Sequence, residues 1–146
     1  MSATTLPALI QRFFTDRLCV QMEASRHTVA GYRDTFRLLL RYASTQRVKP
    51  PVKLMVEDID ADLVADFLAH TETARGNSAR SRNTRLAAIR SFFRYVAMAD
   101  PTWLMHCQRI LAMPNKRYVR RTVTFLDAAE IAALLAAPDR TTWAGR

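Results

Sequence analysis

The side chains best suited to chemistry in this sequence are cationic, and most of them lie in one stretch. Residues 75–121 contain eleven lysines or arginines and a single acid, Asp100. The stretch before it, residues 57–72, contains six acids and no base. Clustered cations attract phosphates, and neutralising phosphates releases the counterions that surround DNA or RNA. The charge pattern therefore predicts a surface that binds a polyanion, the alternative being a solvated helix face.

The other reactive side chains form no catalytic or metal-binding pattern. Cys19 and Cys107 are far apart, and His27, His70 and His106 add no metal-ligand spacing to them. The sequence also has no glycine-rich phosphate loop and no Ser/His/Asp arrangement. We therefore expect no metal ion, no cofactor and no small-molecule substrate.

Length and composition favour one helical domain, or one domain and a tail. The chain has 146 residues, of which 49% are hydrophobic and 24% are charged, as in a folded protein with a core. Only three residues are glycine, whereas alanine, leucine and arginine, which favour helices, are plentiful. No segment reaches the roughly 20 apolar residues of a membrane span, and no signal peptide is recognisable. The cysteine spacing favours two free thiols in a cytoplasmic protein but leaves a single disulfide open.

Apolar periodicity predicts five helices before residue 114. In the first, apolar side chains recur at i, i+3, i+4 and i+7. Ser25, Asp60 and Ser78 are candidate N-caps, because their side-chain oxygens can accept an orphan backbone N–H, and Gly76 marks the end of the third helix. The predicted helices run from about Leu6 to Met22, from Arg26 to Gln46, from Asp60 to the residues before Gly76, from Ala79 to Ala99, and from Pro101 to the residues before Pro114.

Most aromatic side chains are expected on the buried side of these helices. They lie at core spacing, and sequence-tolerant stacking on bases is typical of single-strand binders.

Residues 52–59 (VKLMVEDI) are predicted to be a loop or a short extended connection. Arg82 and Arg85, near the apolar side of helix four, are expected to pack their stems or to form ion pairs. The acids considered as partners of these two arginines are Asp62 and Asp66. The aromatic residues assigned to the core are Phe13, Phe14, Phe36, Phe92, Phe93 and Tyr95.

A basic linker, residues 114–122, follows the predicted bundle and has no apolar period. Cations in such a segment are expected to run along phosphates, the alternative being a merely flexible linker. After the linker, residues 123–126 are predicted to be extended, and Asp127 to cap a short helix that ends near Ala137. The linker cations expected to contact phosphates are Lys116, Arg117, Arg120 and Arg121.

Three stretches of the sequence carry longer motifs. They are residues 25–32 (SRHTVAGY), residues 77–95 (NSARSRNTRLAAIRSFFRY) and residues 124–138 (TFLDAAEIAALLAAP). In this order and with these separations they resemble the second helix, a later helix and the start of the catalytic domain in the tyrosine recombinase, or phage integrase, family. Ser81 and Thr84 depart from the family pattern, which commonly has threonine and arginine there.

The resemblance implies an all-α fold, a four- to five-helix core-binding (SAM-like) bundle followed by the basic linker and a short C-terminal helix. It implies that residues 1–113 form a helical DNA-binding domain, 114–122 the linker, and 123–146 the beginning of an incomplete catalytic domain. Helices two and four would face the major groove of duplex DNA, which an α-helix fits. The expected partners are double-stranded DNA and full-length recombinase protomers.

Residues that match the family motifs are expected to lie nearest the DNA. Arg80 is expected to pair with a guanine and Asn83 with an adenine, each through two hydrogen bonds. The hydroxyl side chains are expected to contact phosphates or thymine methyl groups. The residues of helices two and four assigned to DNA binding are Thr28, Arg33, Arg80, Ser81, Asn83 and Thr84.

The family's catalytic residues have no convincing counterparts in this chain. His106 and Arg109 read as His-x-x-Arg, but they lie in helix five, and Tyr118 is only nine residues further on, in the linker. In full-length relatives a tyrosine attacks the scissile phosphate without a metal or nucleotide cofactor, and cations stabilise the transition state. We therefore expect that this chain binds DNA and is not itself an enzyme.

The sequence thus favours the DNA-binding portion of a site-specific tyrosine recombinase, acting in DNA integration and recombination. Because the chain ends at Arg146, where the catalytic domain would begin, we expect a truncated recombinase. One alternative is an autonomous helical DNA-binding regulator that competes for recombination sites. Another is a protein-interaction bundle with an incidental basic face, which would bind DNA weakly and without salt dependence.

Overall fold

The computed structural model of the protein describes residues 4–74, 76, 78–117 and 128–136. Helices joined by short turns make up these residues, which confirms the predicted all-α bundle with a short C-terminal helix. The predicted extended segment at 123–126 and the predicted cap Asp127 lie outside the described residues. The helices are α1 (Leu6–Arg12), continued by π-helical turns (Phe13–Gln21), then α2 (Arg26–Arg47), α3 (Ala61–Ala74), α4 (Ala79–Ala99), α5 (Leu104–Leu111) and α6 (Ala128–Ala136).

The first predicted helix is continuous but widens in its second half. Phe13 and Leu18 are both fully buried although they are five residues apart. The Met22 N–H donates to the Arg17 carbonyl oxygen at 2.8 Å, the i to i−5 spacing of a π-helix. The wider turns therefore keep Leu18 on the same buried face as Phe13.

The N-terminal caps of the next three helices are those predicted. The side chains of Ser25 and Ser78 accept hydrogen bonds from the backbone N–H three residues later, at 3.1 and 3.2 Å. Asp60 does the same for α3 at 2.8 Å. Each bond satisfies an N–H that the helix itself leaves without a partner. Gly76 follows α3 with φ 63°, a left-handed conformation that glycine adopts without strain.

Helix α4 is central to the bundle, where it packs against α2, α3 and α5. An aromatic cluster fills the space beneath it, with five ring centroids 5.5–6.3 Å from that of Phe13. Fully burying one such ring contributes about 1.5–3 kcal/mol. The assignment of the aromatic residues to the core is confirmed, with Phe13, Phe36, Phe92 and Phe93 fully buried and Phe14 and Tyr95 half-buried.

The connection at residues 52–59 contributes more to the core than a loop would. It includes 3₁₀ turns at Pro51–Lys53 and Val56–Asp58. Leu54 and Ile59 are fully buried, and the Leu54 carbonyl accepts a hydrogen bond from the first residue of α1 at 2.9 Å. The segment is thus an irregular connection, as predicted, with Leu54 and Met55 extended between the two turns. What the prediction did not include is the 3₁₀ turns and the buried apolar residues that anchor the segment under α1.

Acids of the stretch 57–72 pair with the C-terminal end of α2. Asp60 lies 3.1 Å from the Arg47 guanidinium, and Asp58 lies 3.0 Å from the Lys49 ammonium. Burial alone would raise the pKa of Asp58, but the Met55 N–H and Lys49 outweigh it and lower that pKa. These pairs tie α3 to α2 and consume part of the acidic charge within the fold.

Both cysteines are thiols, as the sequence favoured, with Cys19 exposed and Cys107 buried. Burial raises the pKa of Cys107 to about 11, so this side chain acts as a small packing group. Among the described residues, no helix combines the length and apolar character needed to cross a bilayer. The same residues contain no group of three or more metal-ligating side chains placed to hold an ion.

Candidate nucleic-acid interface

The N-terminal halves of α2 and α4 lie side by side and leave a shallow groove between them. A Cβ added to Gly31 would have nothing within 4 Å, so α2 presents backbone to open space at this point. The two helices predicted to face DNA therefore share one open surface. This α2–α4 groove is lined by Gly31, Asp34, Thr35, Arg80, Ser81, Thr84 and Arg85.

Beside the groove, α4 has an exposed ridge formed by Arg80, Thr84, Ala87 and Arg94. Their three-, four- and seven-residue spacings place them along one line of the helix. Among the described residues, neither Arg80 nor Arg94 forms an ion pair. The ridge therefore offers two guanidinium groups to solvent, about 21 Å apart along the axis at the α-helical rise.

Two other arginines of α4 face neighbouring helices. Arg82 Nε lies 3.3 Å from a Glu72 carboxylate oxygen in α3, and Arg85 Nη2 lies 4.0 Å from the Asp34 carboxylate in α2. Their ion pairing is as expected, but their partners are not the acids at the start of α3 that the sequence favoured. Both pairs hold α4 between its neighbours, so these charges belong to the fold more than to the surface.

Arg90 occupies a crowded position on α4. Its Nη1 donates to the Asn115 side-chain oxygen at 3.1 Å, and its buried Nε has no hydrogen-bond partner among the described residues. Burial, followed by the like charges of Arg82 and Arg94, lowers the pKa of Arg90. Arg90 therefore experiences the like charges of Arg82 and Arg94 in a partly buried position.

The structure places Asn83 against the start of the linker. Its Nδ2 donates to the Lys116 carbonyl at 2.7 Å, and its Oδ1 accepts from the Lys116 N–H at 2.8 Å. The Lys116 ammonium in turn lies 2.7 Å from Glu72. A carboxamide and the N–H and C=O of one residue are complementary, so both atoms expected to read an adenine are occupied. The lysine expected on phosphate is likewise paired with an acid.

The predicted hydroxyl contacts lie at the N-terminal ends of the two helices. Thr28 is exposed, and its Oγ1 accepts from the Ser25 hydroxyl at 3.0 Å. Thr84 donates to the Arg80 carbonyl at 3.0 Å, and Ser81 lines the groove beside it. Each hydroxyl group therefore lies in the first two turns of its own helix, where the helix N-terminus favours anions.

The remaining predicted contacts are more scattered. Arg33 lies on the other side of α2, where it lines a separate depression with Phe14 and Arg37. Arg117 is exposed at the end of the described linker, and Arg120 and Arg121 lie outside the described residues.

Sequence reasoning missed the acids that organise this surface. Asp34 is the only acid in α2, and Glu72 is the last acid before the basic stretch. An isolated acid in basic α2 and an acid just before the basic stretch are sequence signals of ion pairs with the arginines of α4. The His-x-x-Arg pair has a packing role at its first residue, because His106 Nε2 donates to the Ile59 carbonyl at 2.7 Å and its ring lies against Trp103.

Comparison with known proteins identifies relatives of the whole described bundle. The model of the phage integrase N-terminal SAM-like domain matches residues 10–99. Two proteins of Sinorhizobium fredii named as integrase/recombinase are similar: y4rC is 51% identical over 97% of this chain and 43% of its own length, and y4rD is 43% identical over 97% and 50%. The tyrosine recombinase XerC of Xanthomonas axonopodis pv. citri is 30% identical over 86% of this chain and 41% of its own length. The chain thus spans half or less of each relative, and no solved structure matches it significantly.

Proposed function

Because this chain belongs to the phage integrase family of tyrosine recombinases, we propose that it is the duplex-DNA-binding part of a site-specific recombinase and does not itself cut DNA. The observation that carries the proposal is the continuous surface made by the α2–α4 groove and the exposed ridge of α4. The surface combines hydroxyl groups, two helix N-termini and the guanidinium groups of Arg80 and Arg94, which have no acidic partner in the described part of the chain. These are the groups that proteins use on phosphates and base edges.

In this proposal α4 enters the major groove with its N-terminal half. Arg80, at the exposed start of that helix, reaches a base edge or a phosphate, and Arg94 neutralises a phosphate further along the duplex. The hydroxyl groups of Thr28, Ser81 and Thr84 add phosphate contacts from the first turns of α2 and α4. Arg33 would reach the backbone from the outer side of α2, and Arg117, Arg120 and Arg121 from the linker.

The proposed partner protein is a full-length recombinase protomer. The relatives are about twice as long as this chain or longer, and the matched family model concerns an N-terminal domain. We propose that the tyrosine nucleophile and the arginines that activate the phosphate belong to a catalytic domain distinct from this bundle. The bundle then binds and orients the DNA of the recombination site.

Salt-dependent binding to labelled duplex DNA tests this function. We expect a Kd of roughly micromolar near physiological salt, and a steep fall of affinity with salt because several phosphates are neutralised. Arg80→Ala should weaken binding about tenfold and lower the salt slope by about one.

The matched control is Arg12→Ala, an exposed arginine beside the last turn of α4, at the end opposite Arg80. It should change affinity less than about twofold, because it lies away from the proposed surface. Equal losses for the two variants, or wild-type binding without a salt slope, would reject the proposed surface.

A further inference from the structure

We infer that Asn83 and Glu72 are positioning residues that dock residues 114–117, the connector, onto α4, so that the exposed Arg117 joins the DNA-binding surface. The inference rests on the proposed function for its DNA part, while the docking itself is independent of DNA. It assigns Asn83 a role other than reading a base.

The contacts that hold the connector come from two helices. Asn83 forms two hydrogen bonds with the main chain of Lys116, and Glu72 of α3 pairs with the Lys116 ammonium. About two turns further along α4, Arg90 donates to Asn115. Main-chain and side-chain contacts thus fix two successive connector residues in place, which a merely flexible linker would not show.

These contacts also give the connector a direction. Asn115 lies at Arg90 and Lys116 at Asn83, seven residues nearer the start of α4. The chain therefore leaves α5 and runs back toward the N-terminal end of α4, the end that carries Arg80. Each residue advances 100° around a helix, so Asn83 lies on one flank of the ridge and the α2–α4 groove on the other.

The docked arrangement suits a phosphate contact better than an inhibitory one. Glu72 faces both Arg82 and Lys116, so its negative charge is neutralised where it would otherwise repel DNA. Arg117 remains exposed immediately after the anchored residue. Reading an adenine would instead require Asn83 to give up both bonds, each worth roughly a fivefold factor in the docking equilibrium.

Limited proteolysis of the full chain measures docking without DNA. Trypsin cleaves after Lys116 and Arg117, and mass spectrometry separates these cuts from those at other basic residues. Asn83→Ala should raise the cleavage rate at the connector roughly 25-fold, because cleavage follows the population of the open form and two hydrogen bonds are lost, each worth about fivefold. Asn83→Asp keeps the acceptor and loses the donor, so its cleavage rate should lie between those of wild type and Asn83→Ala.

Gln108→Ala removes an exposed carboxamide from α5 and is the matched control, with unchanged cleavage expected. Helical circular dichroism checks that each variant is folded. Unchanged cleavage of folded Asn83→Ala would overturn the docking.

Competition among duplexes of different sequence tests positioning against reading. Asn83→Ala should weaken binding about threefold for all duplexes alike, because Arg117 is no longer held beside α4. A changed order of sequence preference would show that Asn83 reads a base, and unchanged or tighter binding would show that docking does not serve the DNA surface. Either result overturns the inference. A wild-type chain that binds no duplex would instead reject the proposed function, whereas the proteolysis result would still decide docking.

Discussion

Two arginines of α4 turn toward neighbouring helices and two turn toward solvent, although all four belong to one basic run. Arg82 and Arg85 have side chains only 16% and 14% exposed and pair with acids of α3 and α2. Arg80 and Arg94 are exposed and have no acidic partner among the described residues. The same residue type therefore serves the fold at one helical angle and the surface at another.

This difference shows that the total charge of a segment is not the charge that is accessible to a ligand. The eleven bases of residues 75–121 indicate a polyanionic partner. Of these, Arg82, Arg85 and Lys116 are engaged with acids of the bundle. The surface is consequently less basic than a count along the sequence implies, and its character depends on a few residues.

The largest effect expected from this comparison is on stability. Arg82→Met should lower the free energy of unfolding by about 1.5 kcal/mol, because Glu72 loses one of its two cations in a half-buried site. Arg94→Met, the same change on the exposed ridge, should stay within about 0.5 kcal/mol of wild type. Urea denaturation with unchanged m-values measures both. Equal destabilisation by the two variants would show that the paired arginines contribute no more to stability than the exposed ones.

Local signals account for the part of the fold that could be predicted. Ser25, Ser78 and Asp60 cap helices because a side-chain oxygen and an N–H three residues away need no distant partner. The bounds of α4 and its buried stripe follow from the same short-range periodicity. That α2 and α4 face DNA came from the family resemblance and stays a prediction, although the two helices do line one groove.

The contacts that could not be predicted join residues far apart in the chain. Asn83 and Lys116 are 33 residues apart, and no helical period relates them. Leu54 and Ile59 are buried only because α1 and its neighbours fold over a segment without helical spacing. Likewise, the side of α2 on which Arg33 lies depends on how α1 packs, which a helical wheel does not supply.

A substitution in the α2–α4 groove is expected to have a smaller effect than Arg82→Met, and one that improves a property, DNA affinity, where Arg82→Met impairs stability. Asp34 is the acid in the groove lining, and its carboxylate is 58% exposed and 4.0 Å from Arg85. Asp34→Asn should tighten duplex binding about threefold at low salt, because one charge that repels phosphate is removed. The effect should shrink as salt is raised.

Asp62→Asn provides the matched change of charge at the start of α3, beside the other end of α2. It should alter DNA affinity much less, although the net charge of the protein changes equally. If both variants bind more tightly to the same extent, net charge governs affinity and the groove is not where the duplex lies.

The smallest effect is expected at Arg90, which stands between the two sets. Replacing it with methionine removes one hydrogen bond to Asn115, a loss of about 1 kcal/mol. The same change removes a partly buried charge that Arg82 and Arg94 repel, and it fills the space with an apolar chain of similar length. These contributions oppose each other, so the free energy of unfolding of Arg90→Met should lie within about 0.5 kcal/mol of the wild-type value. A loss as large as that of Arg82→Met would mean that the Asn115 contact outweighs the repulsion, and that Arg90 belongs with the arginines that hold the bundle together.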